Sequence, residues 1–457
     1  MRNIKFFVAC TFWFFICSLT FAQRTYNVMD YGAKGDGKVL DSQAIQRAID
    51  ACHRNGGGQV LLPDGIYLSA TIQIKDHVNL HLAKNAIILG TTDYKSYKNL
   101  DPFTDGLGVD VGRALLVAVD AKDIALTGEG CIDGQGKELK ARHVQEDKRS
   151  EGQRWGLRLF LLRFVRCQNV NLKGVTLRSS AAWTSHYFQC NDLSIDSVTI
   201  RSMGVAHNDG IDIDGCQRVK ISHCDIISGD DALCFKTTCS KSSCKDIVVN
   251  DMRLRSNQAG IKFGTESMAA FENISIRNCY IYNTRNGGIK MFSVDGAQLR
   301  NIEISDIVMN EVRTPMLFRL GARLSVFRKN EDQKQSIGCF ADVVIRNVMV
   351  VAADSAQQKP PSGILITGIP GHKITNLTLE NIHIRLLGTG TLEDAKTMVP
   401  EAIDKYPEVK TFGPKIPAYG VWARHVQGLV LKNVTFDLKN PDQRPMILCE
   451  DGDMTVY

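Results

Sequence analysis

Residues Cys167-Gln-Asn-Val-Asn-Leu-Lys-Gly-Val-Thr-Leu177 are answered 23 residues later by Cys190-Asn-Asp-Leu-Ser-Ile-Asp-Ser-Val-Thr-Ile200. Each reads as a short strand, a two-residue break and a second strand, with apolar residues at alternate places. Cys216, Cys244, Phe271 and Leu299 open the same pattern again, at steps of 26, 28, 27 and 28 residues. Degenerate copies follow at Phe340–Val350, Ile374–Ile384 and Val426–Phe436. Short strands rich in Val, Ile and Leu at this spacing specify a solenoid, in which each turn buries its inward side chains against its neighbours. A βαβ fold would need helical segments between the strands, and none fits. The expected fold is all-β, a right-handed parallel β-helix.

The ends of such a rod need covers. Asp41-Ser-Gln-Ala-Ile-Gln-Arg-Ala-Ile-Asp-Ala-Cys52 predicts an amphipathic helix capped by Asp41, stopped by Gly56-Gly57-Gly58 and lidding the N-terminal end. Residues 386–420 break the repeat and are expected to form an inserted loop over one flank. Further insertions at 96–116 and 136–155, together with that loop, would wall off one end of a groove and favour end-wise action. Residues 23–457 are otherwise read as one catalytic β-helix domain.

Composition sets the broad class. The chain has 457 residues, 55 Lys+Arg against 49 Asp+Glu (net +6), and is 44% hydrophobic and 23% charged. This is an ordinary globular balance with no basic block, which argues against a nucleic-acid partner. Residues 1–22 read as a secretory signal: Arg2 and Lys5, then an apolar run, then Thr20 and Ala22 before Gln23. The mature chain is expected to be secreted or periplasmic, with no stable membrane insertion, and to work as a monomer. Cys10 and Cys17 fall in the leader, and the other twelve cysteines either pair or serve as small core residues. Among them Cys190, Cys216 and Cys244 open repeats. No Cys/His group has zinc spacing, so neither a metal nor another cofactor is implied.

Aligning Ile211, Leu233, Ile261 and Ile289 puts four strands in register. Two residues earlier stand Asp209, Asp231, Ala259 and Gly287; one residue later stand Asp212, Cys234, Lys262 and Lys290, pointing away from the core. Asp209 and Asp231 should therefore stack on adjacent turns with Asp230 beside them. Carboxylates crowded on one face repel. Paired carboxylates are also the equipment of glycoside hydrolysis, where crowding keeps one of them protonated. As isolated turn residues, Asn208-Asp209-Gly210 and Gly229-Asp230-Asp231 would carry no such meaning; their register does.

These residues resemble glycoside hydrolase family 28, the polygalacturonase and rhamnogalacturonan-hydrolase family. The likeness starts at Tyr26–Gly37 and Gly56–Gly65 and continues through Trp183-Thr-Ser-His186. Its specific signals are His207-Asn-Asp-Gly-Ile-Asp212, similar to the family's Asn-Thr-Asp-Gly-x-Asp, and Gly229-Asp230-Asp231. The resemblance implies an exported hydrolase of pectic polysaccharide that inverts the anomeric configuration. By it, Asp230 is the general acid, and Asp209 and Asp231 hold the attacking water. Asp212, Lys262, Lys290, His186 and His207 are expected to bind substrate, and Trp183, Tyr187 and Tyr419 to stack on sugars. Two departures stand out. The family's Gly-His-Gly falls at Asn257-Gln258-Ala259-Gly260, and its Arg-Ile-Lys at Gly288-Ile289-Lys290, so a histidine and an arginine are missing. Lys262 or Arg285 would have to compensate, or the sugar beside the scissile bond is neutral. The other readings are a pectin lyase using Lys262 or Lys290 as base, and a non-catalytic glycan-binding β-helix.

Overall fold

The computed structural model describes residues 24–104, 109–150, 158–328 and 332–457; the leader expected at 1–22 lies outside the described residues. The chain coils into a parallel β-helix built from a 21-stranded and a 13-stranded sheet. The repeats stack as their spacing predicts: Val170, Leu193, Val219, Ile247, Ile274, Ile302, Val343 and Leu377 pair turn upon turn. One apolar cluster made of these inward residues runs from Tyr26 to Leu431.

The two-residue breaks of the repeat are bends, and a second bend lies inside each repeat. Its third residue (Asn169, Asp192, Arg218, Asp246, Asn273, Asn301, Asp342, Asn376) has φ between 52 and 57°, and Gly428 takes the place at 65°. Asn and Asp tolerate this left-handed backbone better than most residues. At the other bend the side chains form a ladder. Asn347 Nδ2 donates to Asp306 (2.9 Å), Asn381 Nδ2 to Asn347 (3.2 Å) and Asn433 Nδ2 to Asn381 (3.0 Å).

Helix α1 (Ser42–Arg54) lids the rod with Ala44, Ile45, Ala48, Ile49 and Cys52 in the core. Asp41 does occupy the N-cap, but its carboxylate does not cap the helix. It accepts from the Lys34 and Gly35 backbone N–H groups (2.7 and 2.9 Å), pinning the preceding turn instead. All twelve described cysteines are free thiols, and Cys190, Cys216 and Cys244 are fully buried core residues.

The 13-stranded sheet faces the site. Its strands include β1 (Asp110–Val119), β2 (Phe160–Val165), β3 (Ser185–Phe188), β4 (Ile211–Asp214), β5 (Leu233–Thr237), β6 (Ala259–Ser267), β7 (Gly287–Ser293), β8 (Met316–Leu320), β9 (Ile364–Thr367) and β10 (Val421–Arg424). One outward column runs through it: Val117, Arg163, His186, Asp212, Cys234, Lys262, Lys290, Leu317, Leu365, Trp422. It is polar in the middle and apolar at the C-terminal end.

That outward face is roofed at both ends. At the C-terminal end, Val399, Val409, Phe412, Ile416 and Ala418 of the inserted loop pack on Phe292, Leu317, Leu365 and Trp422. At the N-terminal end, Phe103 and Val111 pack with Phe160, Ala182 and Trp183. Residues Asn99–Thr104 there pair with β1 antiparallel. Between the two roofs the column opens into a cleft.

Candidate active site

Four strands carry the cleft floor, in the register expected from their apolar residues: Ile211 pairs with Leu233, Leu233 with Ile261, and Ile261 with Ile289. Gly210 N–H donates to Asp231 O (2.8 Å) and Ala232 N–H to Ala259 O (2.9 Å), so Asp209 and Asp231 sit on successive turns. Asp230 completes the group. A carboxylate oxygen from each of Asp209, Asp230 and Asp231 lies within 4.8 Å of the others.

The turn before Asp209 is shaped to meet Asp230. His207 has φ +58°, and its backbone N–H donates to Asp230 Oδ2 at 3.2 Å, with the ring Nδ1 at 3.8 Å. Gly229 permits this approach, since a Cβ there would collide with Asn208 Oδ1 and Val205 O. Asp230 Oδ1 accepts from the Asp231 N–H at 3.0 Å.

The three acids are not equivalent. Asp230 is the most open, its side chain 19% exposed against 4% for Asp209 and 2% for Asp231. Burial, then the charges of Asp209 and Asp231, push the Asp230 carboxyl well above its ordinary value. Asp209 is also pushed up, by burial and by Asp212. Asp231 is held below its ordinary value although burial opposes this, because Lys262 Nζ lies 2.8 Å from Oδ2 and the Ala259 N–H donates to Oδ1 at 2.9 Å. The cluster thus pulls its carboxyls apart, Asp231 toward the ionised form and Asp230 and Asp209 toward the protonated one.

The cavity above this floor has a volume of about 500 Å³, within the range of small-molecule sites. Asp209, Asp230, Asp231, His207 and Lys262 line it. So do Trp183, Lys236, Gln258, Thr265, Glu266, Asn286 and Gln357, and the loop residues Tyr406, Glu408, Lys410 and Thr411. Lys236 Nζ lies 3.1 Å from Glu266, 3.5 Å from Asp209 and 3.6 Å from Asp212. Asp209, Asp212 and Cys234 also come close enough to share a cation. The Lys236 and Lys262 ammonium groups already supply the positive charge such an ion would bring.

Residues 69–402 match the family model described as glycosyl hydrolases family 28. The chain belongs to that family. Residues 25–96 also match a model described as rhamnogalacturonase A/epimerase, pectate lyase-like. A probable polygalacturonase of Vitis vinifera is 25% identical over 383 residues, 79% of this chain and 74% of the relative. Among solved structures, the family 28 exopolygalacturonase of Yersinia enterocolitica superposes with a TM-score of 0.74 at 19% identity, over 95% of this chain and 78% of that one. A hyperthermoactive exopolygalacturonase from Thermotoga maritima gives 0.68 at 22%, over 91% and 92%. At these identities the two structures bear on the fold alone.

Several expected binding residues of this family 28 chain lie elsewhere than in the cavity wall. His186 is fully buried among Phe103, Phe160 and Trp183, with Nε2 3.2 Å from Asp214 Oδ2; burial lowers it to about 4. It braces the roof and does not touch the cleft. Asp212 is wholly buried behind Asp209, and burial pushes it up to about 7 against the pull of Lys236. Lys290 is 1% exposed beneath the loop, its Nζ 2.6 Å from Glu408 Oε2. The roofs cover His186 and Lys290, whereas Asp212 is buried between them, against Lys236.

Of the aromatic candidates, Tyr187 is core and Tyr419 packs edge-on to Phe436. Trp183 lines the cavity, with Lys236 Nζ 4.4 Å over its ring. Within the Asn257–Gly260 stretch, Gln258 lines the cleft, whereas Arg285 is exposed outside it. Of the three insertions, only 386–420 contributes lining residues among the described residues.

Lys236, Glu266, Tyr406 and Glu408 were missed. Lys236 follows Cys234 by two and pairs with Asp214, so strict alternation would have found it. Glu266 lies past a register shift where two residues of β5 span four of β6, which defeats counting. The loop residues carry no periodic signal.

Proposed function

We propose that the protein is an exported hydrolase of pectic polysaccharide, of galacturonan or rhamnogalacturonan type, that acts with inversion. Asp230 gives its proton to the departing glycosidic oxygen. Asp231 takes a proton from water, whose oxygen attacks the anomeric carbon, and Asp209 helps hold that water. The observation that carries this reading is the split within one cluster. Asp230 is partly open and pushed toward its protonated form by burial and its neighbours, while Asp231 is buried against Lys262 at 2.8 Å and pushed toward its ionised form, which is how a site assigns acid and base.

A lyase would need a neutral lysine facing the sugar. Burial opposes the charge on Lys262, but Asp231 beside it raises the lysine well above its ordinary value. Lys290 is pushed down by burial, but its Nζ is covered by Glu408 and does not face the cleft. Inversion rests on the family resemblance. The rule that inverting carboxyls stand about 6.5–9.5 Å apart gives it no support, since all three acids approach within 4.8 Å. Export rests on Arg2, Lys5 and the apolar run to Ala22.

Incubation with pectic oligosaccharides should release new reducing ends without ultraviolet-absorbing unsaturated ends. Proton NMR of the first product should show the anomer opposite to that of the bond cut. Unsaturated ends would overturn hydrolysis, and the retained anomer would overturn inversion. Amino-terminal sequencing of the exported protein should begin at Gln23.

A further inference from the structure

The lysines of the cleft floor are each already neutralised by a carboxylate of the protein. Lys262 is paired with Asp231 (2.8 Å), and Lys236 with Glu266 (3.1 Å), Asp209 and Asp212. Lys290, the next lysine along the same column, is capped by Glu408 at 2.6 Å. Glu408 itself lines the cavity and is held below its ordinary value, against burial, mainly by Lys290 and Lys262. It is fixed in place. Val409 and Phe412 beside it are buried in the loop's apolar cluster, and Asn286 Nδ2 donates to its Oε2 at 2.7 Å.

Around Glu408 the wall is made of amides. Asn286 Nδ2 also donates to Gln258 Oε1 (2.6 Å), and Gln357 Nε2 donates to Asn286 Oδ1 (2.9 Å). A fixed carboxylate and a chain of amides accept hydrogen bonds from sugar hydroxyls and donate a few in return. A uronate carboxylate entering here would meet no uncompensated cation among the described residues of the floor. It would also meet the like charge of Glu408, which repels it in a partly dehydrated site.

We propose that Glu408 is a specificity residue: it occupies with a protein carboxylate the place beside Lys290 that an acidic sugar would need, so the ring bound there is a neutral sugar. This rests on the pectic reading above and narrows it to chains that contain neutral residues. The exposed Lys410 at the cavity wall remains as a contact for a carboxylate farther along such a chain.

Binding is read by calorimetry in an Asp230→Asn background, so that nothing is turned over. The probes are trigalacturonic acid and its carboxyl-reduced counterpart, which share every other hydroxyl. The neutral trisaccharide should bind at least tenfold more tightly. Adding Glu408→Gln leaves Lys290 without its partner and should strengthen binding of the acid form at least tenfold. Adding Lys290→Met as well should remove that gain.

Equal or tighter binding of the acid form while Glu408 is intact would overturn the proposal, and so would failure of the neutral form to bind. An unchanged ratio in the Glu408→Gln protein would do the same. Hydrolysis by the wild-type protein is scored separately. Loss of that activity with the binding ratio preserved sinks the hydrolytic reading alone, and activity with the ratio reversed sinks this one alone.

Discussion

Lys262→Met removes the cation that keeps Asp231 ionised. The pair is buried, with side chains 7% and 2% exposed and a contact of 2.8 Å. Deleting one partner of such a pair costs about 3–5 kcal/mol, because a charge is left uncompensated. The size of the loss should depend on pH. The Asp231 carboxyl lies below its ordinary value in the fold, so the pair stabilises the protein above the ordinary carboxylate range. That contribution fades as pH falls through the lowered value. The variant should thus melt well below the wild type at neutral pH, and the gap should narrow toward acid pH. In kinetics the acid limb of kcat/KM should move up in pH, since Asp231 then holds its proton longer. Activity at the wild-type optimum should fall by about 10²–10⁴, the usual worth of a positioned base. Differential scanning fluorimetry across pH and a pH–rate profile measure both effects. A melting gap that widens toward low pH, or an unmoved acid limb, would refute the reasoning.

Other outcomes follow from the same contacts. His186 is lowered to about 4 by burial, so it stays neutral in the fold while an unfolded histidine takes up a proton below about pH 6.5. Stability should fall between those values, and His186→Gln should flatten that part of the melting-temperature profile. Phe412→Ala truncates an anchor of the loop that carries Tyr406 and Glu408. A loss of about 3–5 kcal/mol is typical for a buried Phe, and here it should show as faster proteolysis within 387–420 and a raised KM, with the β-helix circular dichroism unchanged. On the alkaline side, kcat/KM should fall as Asp230, raised by burial and its neighbours, gives up its proton, and a profile flat to high pH would exclude it as the acid.

The repeat and its register were legible because inward positions obey a period of two and a rise of one turn. Those constraints placed Ile211, Leu233, Ile261 and Ile289 together and brought Asp209, Asp230 and Asp231 to one site. Alternation tells which residues point outward, but not which of them are covered. Lys290 points outward as expected and is nevertheless buried, because the 386–420 loop folds over it; His186, in the same column, is covered by Phe103. Nothing periodic in those insertions announces where they land. The Asp41 side chain shows the same limit on a smaller scale: position marked it as a cap, and the preceding turn claimed its oxygens.

The most direct test is Asp230→Asn, assayed for turnover of a pectic oligosaccharide and, by calorimetry, for binding of the same sugar. Asparagine keeps the size of the side chain and has no proton to give a departing oxygen. The account predicts that kcat drops by about 10²–10⁴ or more, with affinity within a few-fold of the wild type and the fold intact. Turnover near the wild-type rate would contradict it, and so would loss of binding in step with loss of rate.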